Sequence, residues 1–199
     1  MIERVENPGC FFDSEPSQLE EVVFAVRRAF GRELEFKDIY AHITLPKEVY
    51  LLRHKERIVG VASYNKVNLS GLPSLIVEGI AIAPEMQGKG VFREMTRLAS
   101  DGEAVICLRT QNPRMYRALE KYCSFIYPGK IQMPEAIEAI RKSLAIHLKC
   151  KADERGIIQR YYGGLFYGEE PRHEQASRFF KEIGIDINIG DALLVVGVK

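Results

Sequence analysis

The sequence predicts an α/β protein, because segments with the apolar spacing of helices alternate with short apolar segments typical of strands. In residues 18–31 apolar side chains recur every three or four positions, and Ser17 can cap the helix that they predict. Residues 49–53 and 58–67 are apolar segments separated by the polar residues 54–57. This pattern is typical of two strands that pair as a β-hairpin.

The other predicted elements continue this alternation. Strands are expected at residues 2–6, 75–82, 104–108 and 192–198, and helices at 90–100, after Pro113, at 134–149 and at 173–183. Residues 34–44 are expected to form a short helix or a loop, and residues 68–74 a loop. No repeat, linker or low-complexity segment divides the 199 residues, of which 46% are hydrophobic. One domain over residues 1–199 with a substantial core is therefore expected.

A turn with two glycines joins the predicted strand 75–82 to the helix that begins near residue 90. Its sequence is Pro84-Glu85-Met86-Gln87-Gly88-Lys89-Gly90. The first backbone N–H groups of a helix are unpaired and carry a partial positive charge, and glycines let an anion approach the backbone closely. The turn is therefore predicted to bind a phosphate group.

Two common phosphate-binding motifs do not fit this turn. A nucleotide P-loop needs Ser or Thr after its Gly-Lys pair, whereas Lys89 is followed by Gly90. The dinucleotide-binding fingerprint needs a third glycine at position 93, which is Arg93 in this chain. Neither a Walker A motif nor a complete Rossmann fingerprint is present.

The segment instead resembles the acyl-CoA binding segment of the GNAT superfamily of N-acetyltransferases, in which an apolar strand and a proline precede Gln/Arg-x-x-Gly-x-Gly/Ala. The matching residues are Gln87, Gly88, Lys89, Gly90 and Val91, and the chain departs from the pattern at Phe92. The resemblance implies that residues 87–92 hold the pyrophosphate of acetyl-CoA. It implies that the backbone of Ile80, Ala81 and Ile82 binds the pantetheine and the thioester oxygen. It also implies a mixed, mostly antiparallel central sheet with helices on both faces.

A second segment strengthens the resemblance. The predicted strand 104–108 leads to Asn112, and Pro113 begins a helix with an apolar face. The second GNAT block is also a strand, an Asn and a helix that lines the pantetheine and often carries a Tyr. Asn112 matches the family's Asn, but the usual Tyr position is Leu119, so Tyr116, one turn earlier, is expected to be the catalytic acid. The resemblance covers residues 75–125, whereas residues 129–190 are expected to be an enlargement on the acceptor side.

Glu78 is the predicted catalytic base. An amine is mostly protonated at neutral pH and must lose a proton before it attacks a thioester, and the thiolate that leaves needs a proton. Glu78 is the one acid in the apolar segment 75–82, and Gly79 beside it can form a bulge that aims its side chain. The resemblance implies that a carboxylate at this level of the strand faces the acceptor. In the alternative interpretation, Glu78 points to solvent or pairs with an arginine.

These features predict an acyl-CoA-dependent N-acyltransferase. The expected reaction is acetyl transfer from acetyl-CoA to the amine of a small molecule or peptide, by direct attack in a ternary complex. Two alternatives are a catalytically inactive acyl-CoA-binding module and an enzyme that transfers the acyl group to a hydroxyl or to water. Related folds often dimerise, so a homodimer is a further expectation.

Composition excludes several other classes. The 28 basic and 27 acidic residues give a net charge of +1, which provides no general attraction for nucleic acid. No apolar segment approaches the length of about 18 residues that a membrane-spanning helix needs. Four cysteines without paired spacing and a start without an apolar leader predict a cytoplasmic protein. His147-x-x-Cys150 lacks a second pair of ligands, so no metal is expected.

Two further groups of residues have alternative interpretations. An aromatic segment with three glycines contains Tyr161, Tyr162, Phe166 and Tyr167. It is interpreted either as the wall of a substrate pocket or as a buried core strand. Cys107 and Cys123 are interpreted as inert core thiols rather than as nucleophiles.

Overall fold

The structure, a computed structural model, describes residues 1–199. Its residues group into two units, and neither is a continuous segment. Unit 1 consists of Met1–Lys66 and Ile76–Asp101, and unit 2 of Val67–Leu75 and Gly102–Lys199. These boundaries differ from the subdivisions 75–125 and 129–190 expected from the sequence, and the single domain over 1–199 stays a prediction.

Unit 1 combines helices and strands from the first half of the chain. In order they are β1 (Ile2–Val5), α1 (Pro8–Ser14), α2 (Pro16–Phe30), α3 (Phe36–Thr44), β2 (Glu48–His54), β3 (Arg57–Leu69), β4 (Leu72–Ile82), a 3-10 turn (Pro84–Met86) and α4 (Val91–Ala99). The strands β1, β2 and β3 pair antiparallel in this order. The apolar stripe of α2 packs with residues of α3, β2 and β3 in one buried cluster, which includes Val22, Ile43 and Val61.

The strands β3 and β4 are neighbours joined by the two-residue turn of Ser70 and Gly71, both with positive φ. Residues 68–74, expected to be a loop, are therefore mostly strand. The tip of this hairpin belongs to unit 2, where the Ser70 hydroxyl donates to the Ala139 carbonyl at 3.0 Å.

Unit 2 is organised around its last strand. Its elements are β5 (Val105–Thr110), α5 (Pro113–Tyr122), β6 (Phe125–Tyr127), α6 (Glu135–His147), β7 (Ile157–Ile158), α7 (Glu174–Glu182) and β8 (Ala192–Val198). The strands β5, β6 and β7 all pair antiparallel with β8. An almost continuous apolar sequence suits β8, because six of its seven residues are buried.

The fold class predicted from the sequence, mixed α/β with mostly antiparallel strands, is confirmed by these eight strands and seven helices. The strand predicted at 192–198 has the predicted bounds, and most other elements differ by one to three residues. Helix α1 and the short strands β6 and β7 were not among the predicted elements. None of the seven helices has the length and apolar character needed to cross a bilayer.

Candidate functional site

The glycine turn of unit 1 is open to solvent. Gly88 and Gly90 have φ values of 74° and 77°, which glycine adopts far more readily than other residues. A Cβ added to either glycine would meet no atom within 4 Å, and residues 87–90 are all exposed. The glycines therefore shape the backbone and also leave free space beside it.

Helix α4 begins directly after this turn without a side-chain cap. Gly90 is its N-cap residue, and no side chain accepts a hydrogen bond from the first N–H groups of the helix. The Gln87 amide donates to the Ile82 carbonyl at 2.8 Å and so ties the turn to the end of β4. The turn therefore has the backbone geometry and partial positive charge that favour an anion.

Phe92, the departure from the GNAT pattern, is only 7% exposed, and Val91 beside it is also buried. The Phe92 ring is therefore part of the core of unit 1 and does not fill the space beside Gly88 and Gly90.

A bidentate ion pair supports the turn from α2. Both terminal nitrogens of Arg28 donate to the Glu85 carboxylate at 3.0 Å. The pKa of Glu85 lies below its ordinary value because its own backbone N–H and the Arg28 guanidinium hydrogen-bond the carboxylate. Because Glu85 lies in the 3-10 turn, the pair links the last turn of α2 to the segment just before the glycines.

The end of β4 holds the residues expected to bind pantetheine. Ala81 is buried in the core of unit 1, and Ile80 and Ile82 are half-buried. After Ile82, the Ala83 N–H donates to the Val59 carbonyl of β3 at 2.8 Å. The pantetheine contacts of these three residues stay a prediction.

Glu78 is half-buried on β4 and is held by a residue of β3. The Asn65 amide donates to Glu78 Oε1 at 2.9 Å, and Asn65 Oδ1 in turn accepts from the Lys47 backbone N–H at 2.9 Å. Because Asn65 is fixed at both ends of its amide group, its N–H donor points at the carboxylate. The catalytic role of Glu78 stays a prediction.

Asn112 of unit 2 caps α5. Its Oδ1 accepts from the Arg114 backbone N–H at 2.9 Å, which explains why the helix begins here. Its side chain also hydrogen-bonds to the Tyr167 hydroxyl, and burial raises the pKa of Tyr167 to about 12 despite this bond. The contact joins the second GNAT-like block to the aromatic segment and was not predicted.

The aromatic segment is held in place by Gln111, which is only 1% exposed. The Gln111 amide donates to the carbonyls of Gly164 and Ile187 at 3.2 Å, and its Oε1 accepts from the Phe166 N–H at 2.6 Å. Residues 160–168 form turns rather than a strand, so the interpretation as a core strand is wrong. The four aromatic side chains are half-buried, and their role as a pocket wall stays a prediction.

Tyr116, the expected acid, is packed inside unit 2 with 4% of its surface exposed. Its hydroxyl donates to the Pro128 carbonyl at 2.9 Å, and its ring stacks on Phe179 with 5.0 Å between centroids. Burial raises the pKa of Tyr116 far above its ordinary value. These contacts give it a packing role between α5 and α7, and its role as the acid stays a prediction that this geometry does not favour.

The two core cysteines are buried, as expected from the sequence. Burial raises the pKa of Cys107 strongly and that of Cys123 to about 12. Both thiols are therefore protonated at neutral pH, which makes them poor nucleophiles. No three His, Cys, Asp or Glu side chains lie close enough together to hold a metal ion.

No protein-family model and no curated protein matches the sequence. Among solved structures, the chain is similar to an IAA acetyltransferase from Bacillus cereus ATCC 14579, with 17% identity, a TM-score of 0.48 and coverage of 100% of this chain and 99% of that chain. It is similar to the ribosomal-protein-S18-alanine N-acetyltransferase from Escherichia coli, with 14% identity, a TM-score of 0.49 and coverage of 100% and 94%. It is also similar to a GNAT-like decarboxylase, GphF, in complex with isobutyryl-CoA, with 17% identity, a TM-score of 0.49 and coverage of 100% and 98%. At these identities and TM-scores, the similarities assign no function to this chain.

Proposed function

We propose that the protein is an acyl-CoA-dependent N-acyltransferase that transfers an acetyl group from acetyl-CoA to an amine. The strongest support comes from the start of α4, which has no side-chain cap. It follows two exposed glycines that have positive φ and open space beside them. The same residues carry the sequence resemblance to the GNAT acyl-CoA segment.

The turn would bind the pyrophosphate of the donor through backbone N–H groups at the start of α4. No side chain competes for these groups, and the exposed Lys89 adds a positive charge within the turn. Gln87 and the Arg28–Glu85 ion pair would keep the turn in this geometry before the donor arrives. Such pre-organisation reduces the entropy lost when the ligand binds.

In the proposed reaction, the amine nitrogen attacks the thioester carbon, a C–N bond forms and the C–S bond breaks. The amine loses a proton, and Glu78 is the carboxylate proposed to face the acceptor and act as the base. The thiolate takes up a proton from the predicted acid Tyr116 or from water. The cytoplasmic location, the homodimer and the class of the acceptor amine all remain predictions.

A pair of glycine variants tests the turn. Gly71 is a matched control for Gly90, because its φ is 87° and a Cβ there also meets no atom within 4 Å. Asp tolerates positive φ, so Gly90→Asp and Gly71→Asp should both fold. Calorimetric titration with acetyl-CoA should show an affinity at least about tenfold lower in Gly90→Asp, about 1.4 kcal/mol, because the new charge repels the pyrophosphate. Gly71→Asp should bind like the wild type.

Release of CoA in the presence of a panel of amines, alcohols and no acceptor then tests the reaction. Release that depends on an amine supports the proposal. Binding of acetyl-CoA without release for any acceptor would favour the inactive module, and release that depends on an alcohol or on water would favour the other thioester enzyme. Equal affinities of Gly90→Asp and wild type would contradict the proposed binding turn.

A further inference from the structure

His42 lies against β4 in unit 1 and has no assigned role in the proposed reaction. It is an exposed residue in the last turn of α3. A Cβ added to Gly79 would lie 4.0 Å from Cδ2 of the His42 ring. Because Cδ2 is bonded to Nε2, this edge of the imidazole is the one next to β4.

A hydrogen bond fixes which ring nitrogen carries the proton. Nδ1 of His42 lies 2.8 Å from the Asp38 backbone carbonyl, one turn earlier in α3. A carbonyl oxygen only accepts hydrogen bonds, so Nδ1 must carry the hydrogen. In the neutral imidazole Nε2 is then the unprotonated nitrogen, which can accept a proton.

Contacts on β3 place His42 and Glu78 on one side of the strands. The Ser63 hydroxyl donates to the His42 carbonyl at 2.8 Å, and Asn65 donates to Glu78. Side chains two residues apart in a strand point to the same face, so Ser63 and Asn65 share a face of β3. The backbone of His42 and the side chain of Glu78 are therefore both held at this face, the first by Ser63 and the second by Asn65.

We propose that His42 and Glu78 form the acceptor site of the reaction, in which Glu78 binds the acceptor ammonium and His42 is its general base. This proposal rests on the proposed function and divides between two residues the tasks first given to Glu78 alone. The acceptor class is a primary amine that arrives protonated, since a carboxylate held by Asn65 binds an ammonium ion favourably. Gly79 has no side chain to cover the edge of the imidazole that lies next to β4.

The proton balance of the step is complete. The ammonium transfers one proton to Nε2 of His42, and the neutral amine attacks the thioester carbon. As the C–S bond breaks, the nitrogen loses its second proton, and the thiolate gains one through water. The products are the amide, free CoA and one proton on His42, which is then released to solvent.

Steady-state kinetics with saturating acetyl-CoA test this division of roles between His42 and Glu78. His42→Gln should lower kcat by about 100-fold, a typical loss for a general base, and should change KM for the amine less than threefold. Glu78→Gln should mainly raise KM for the amine. His54→Gln is the matched control, because His54 is also an exposed histidine of unit 1, at the end of β2. Its kinetics should match the wild type.

Two further variants separate a chemical role from a structural one. Added imidazole should restore part of the turnover of His42→Ala, which a residue that only packs against β4 would not allow. Gly79→Val should raise KM for the amine, because the valine fills the space beside His42. Gly79 has no positive φ, and valine favours strands, so this variant should fold.

The resting protein provides a test that needs no turnover. Long-range ¹H–¹⁵N spectra of the histidine rings, assigned with His42→Gln, should show the Nδ1–H tautomer of His42. An Nε2–H tautomer would overturn the proposal, as would a kcat of His42→Gln equal to that of the wild type. Calorimetry with acetyl-CoA distinguishes failure of the His42 proposal from failure of the proposed function. If the wild type binds acetyl-CoA, the proposed function stands, whereas absence of binding overturns both the proposed function and the role of His42.

Discussion

The glycine turns of the two units have similar backbones and opposite surroundings. In unit 1, Gly90 has φ 77° and nothing within 4 Å of an added Cβ. In unit 2, Gly190 has φ 92°, and an added Cβ would lie 2.7 Å from the Gly163 backbone nitrogen and would also collide with that of Gly164. The first turn has open space beside it, and the second is filled by backbone atoms of its own chain. Positive φ alone therefore does not identify a binding turn.

The largest expected effect is that of Gly190→Ala on stability. The new methyl group would collide with backbone atoms of the aromatic segment, which cannot move as a flexible side chain would. We expect a loss of about 3 kcal/mol or more in the free energy of unfolding, measured in urea. Gly71→Ala should lose only about 1 kcal/mol, because it has the unfavourable φ without a collision. Equal losses in the two variants would contradict the distinction between enclosed and open glycines.

Gln111→Ala tests how the enclosed segment is held. The variant removes three hydrogen bonds and leaves the Phe166 N–H and the carbonyls of Gly164 and Ile187 without this partner. We expect a loss of about 2–3 kcal/mol, and faster proteolysis of residues 160–168. Gln159→Ala, at an exposed position directly before the segment, should change stability by less than about 0.5 kcal/mol. A similar loss in both variants would show that Gln111 does not hold the segment.

Tyr116→Phe tests whether the buried Tyr116 hydroxyl of unit 2 takes part in catalysis. The variant removes only the hydrogen bond to the Pro128 carbonyl, so we expect a loss of about 1 kcal/mol in stability. If the hydroxyl serves packing alone, kcat should stay within about twofold of the wild type. A fall of about 100-fold with unchanged acetyl-CoA affinity would instead identify Tyr116 as the acid.

The smallest expected effect is a loss of stability at alkaline pH, caused by the buried Cys123 thiol in unit 2. Burial raises the pKa of Cys123 from 9.0 to about 12. The contribution of this thiol to the free energy of unfolding is thus fully present below about pH 9. It is lost as the pH rises toward 12, because the thiol of the unfolded chain releases its proton first. At pH 10 the expected loss is about 1 kcal/mol. Unfolding in urea at pH 8 and pH 10 should show a smaller pH difference for Cys123→Ala than for the wild type, and equal differences would contradict the burial effect.

Local patterns made much of the fold predictable. Helix α2, the hairpin of β2 and β3 and the strand β8 all have apolar spacing that extends over several residues. The glycine turn was also predictable, because its residues are consecutive and its geometry depends on local backbone conformation. Strand β6 has only three residues, too few to show alternation. Helix α1 follows Asn7 in a left-handed conformation, which no apolar spacing indicates.

The contacts that shape the candidate site were not predictable, because they join residues far apart in the sequence. Gln111 and Phe166 are 55 positions apart, and Asn65 and Glu78 are 13 apart on different strands. His42 showed no motif, and only the position of its ring beside Gly79 draws attention to it. Phe92 departs from the GNAT pattern in sequence, but its ring is buried on the apolar face of α4 and leaves the turn open.

The central place of β8 in unit 2 has a consequence during synthesis. All residues of unit 1 are synthesised by Asp101, about 90 residues before β8 begins at Ala192. Strands β6 and β7 pair with β8 alone. Their edges therefore remain unpaired on the nascent chain until residues 192–198 have been synthesised. Unpaired strand edges promote aggregation. Until residues 192–198 are available, β6 and β7 therefore have no strand to pair with, and a nascent chain that ends shortly before Ala192 is at risk of aggregation.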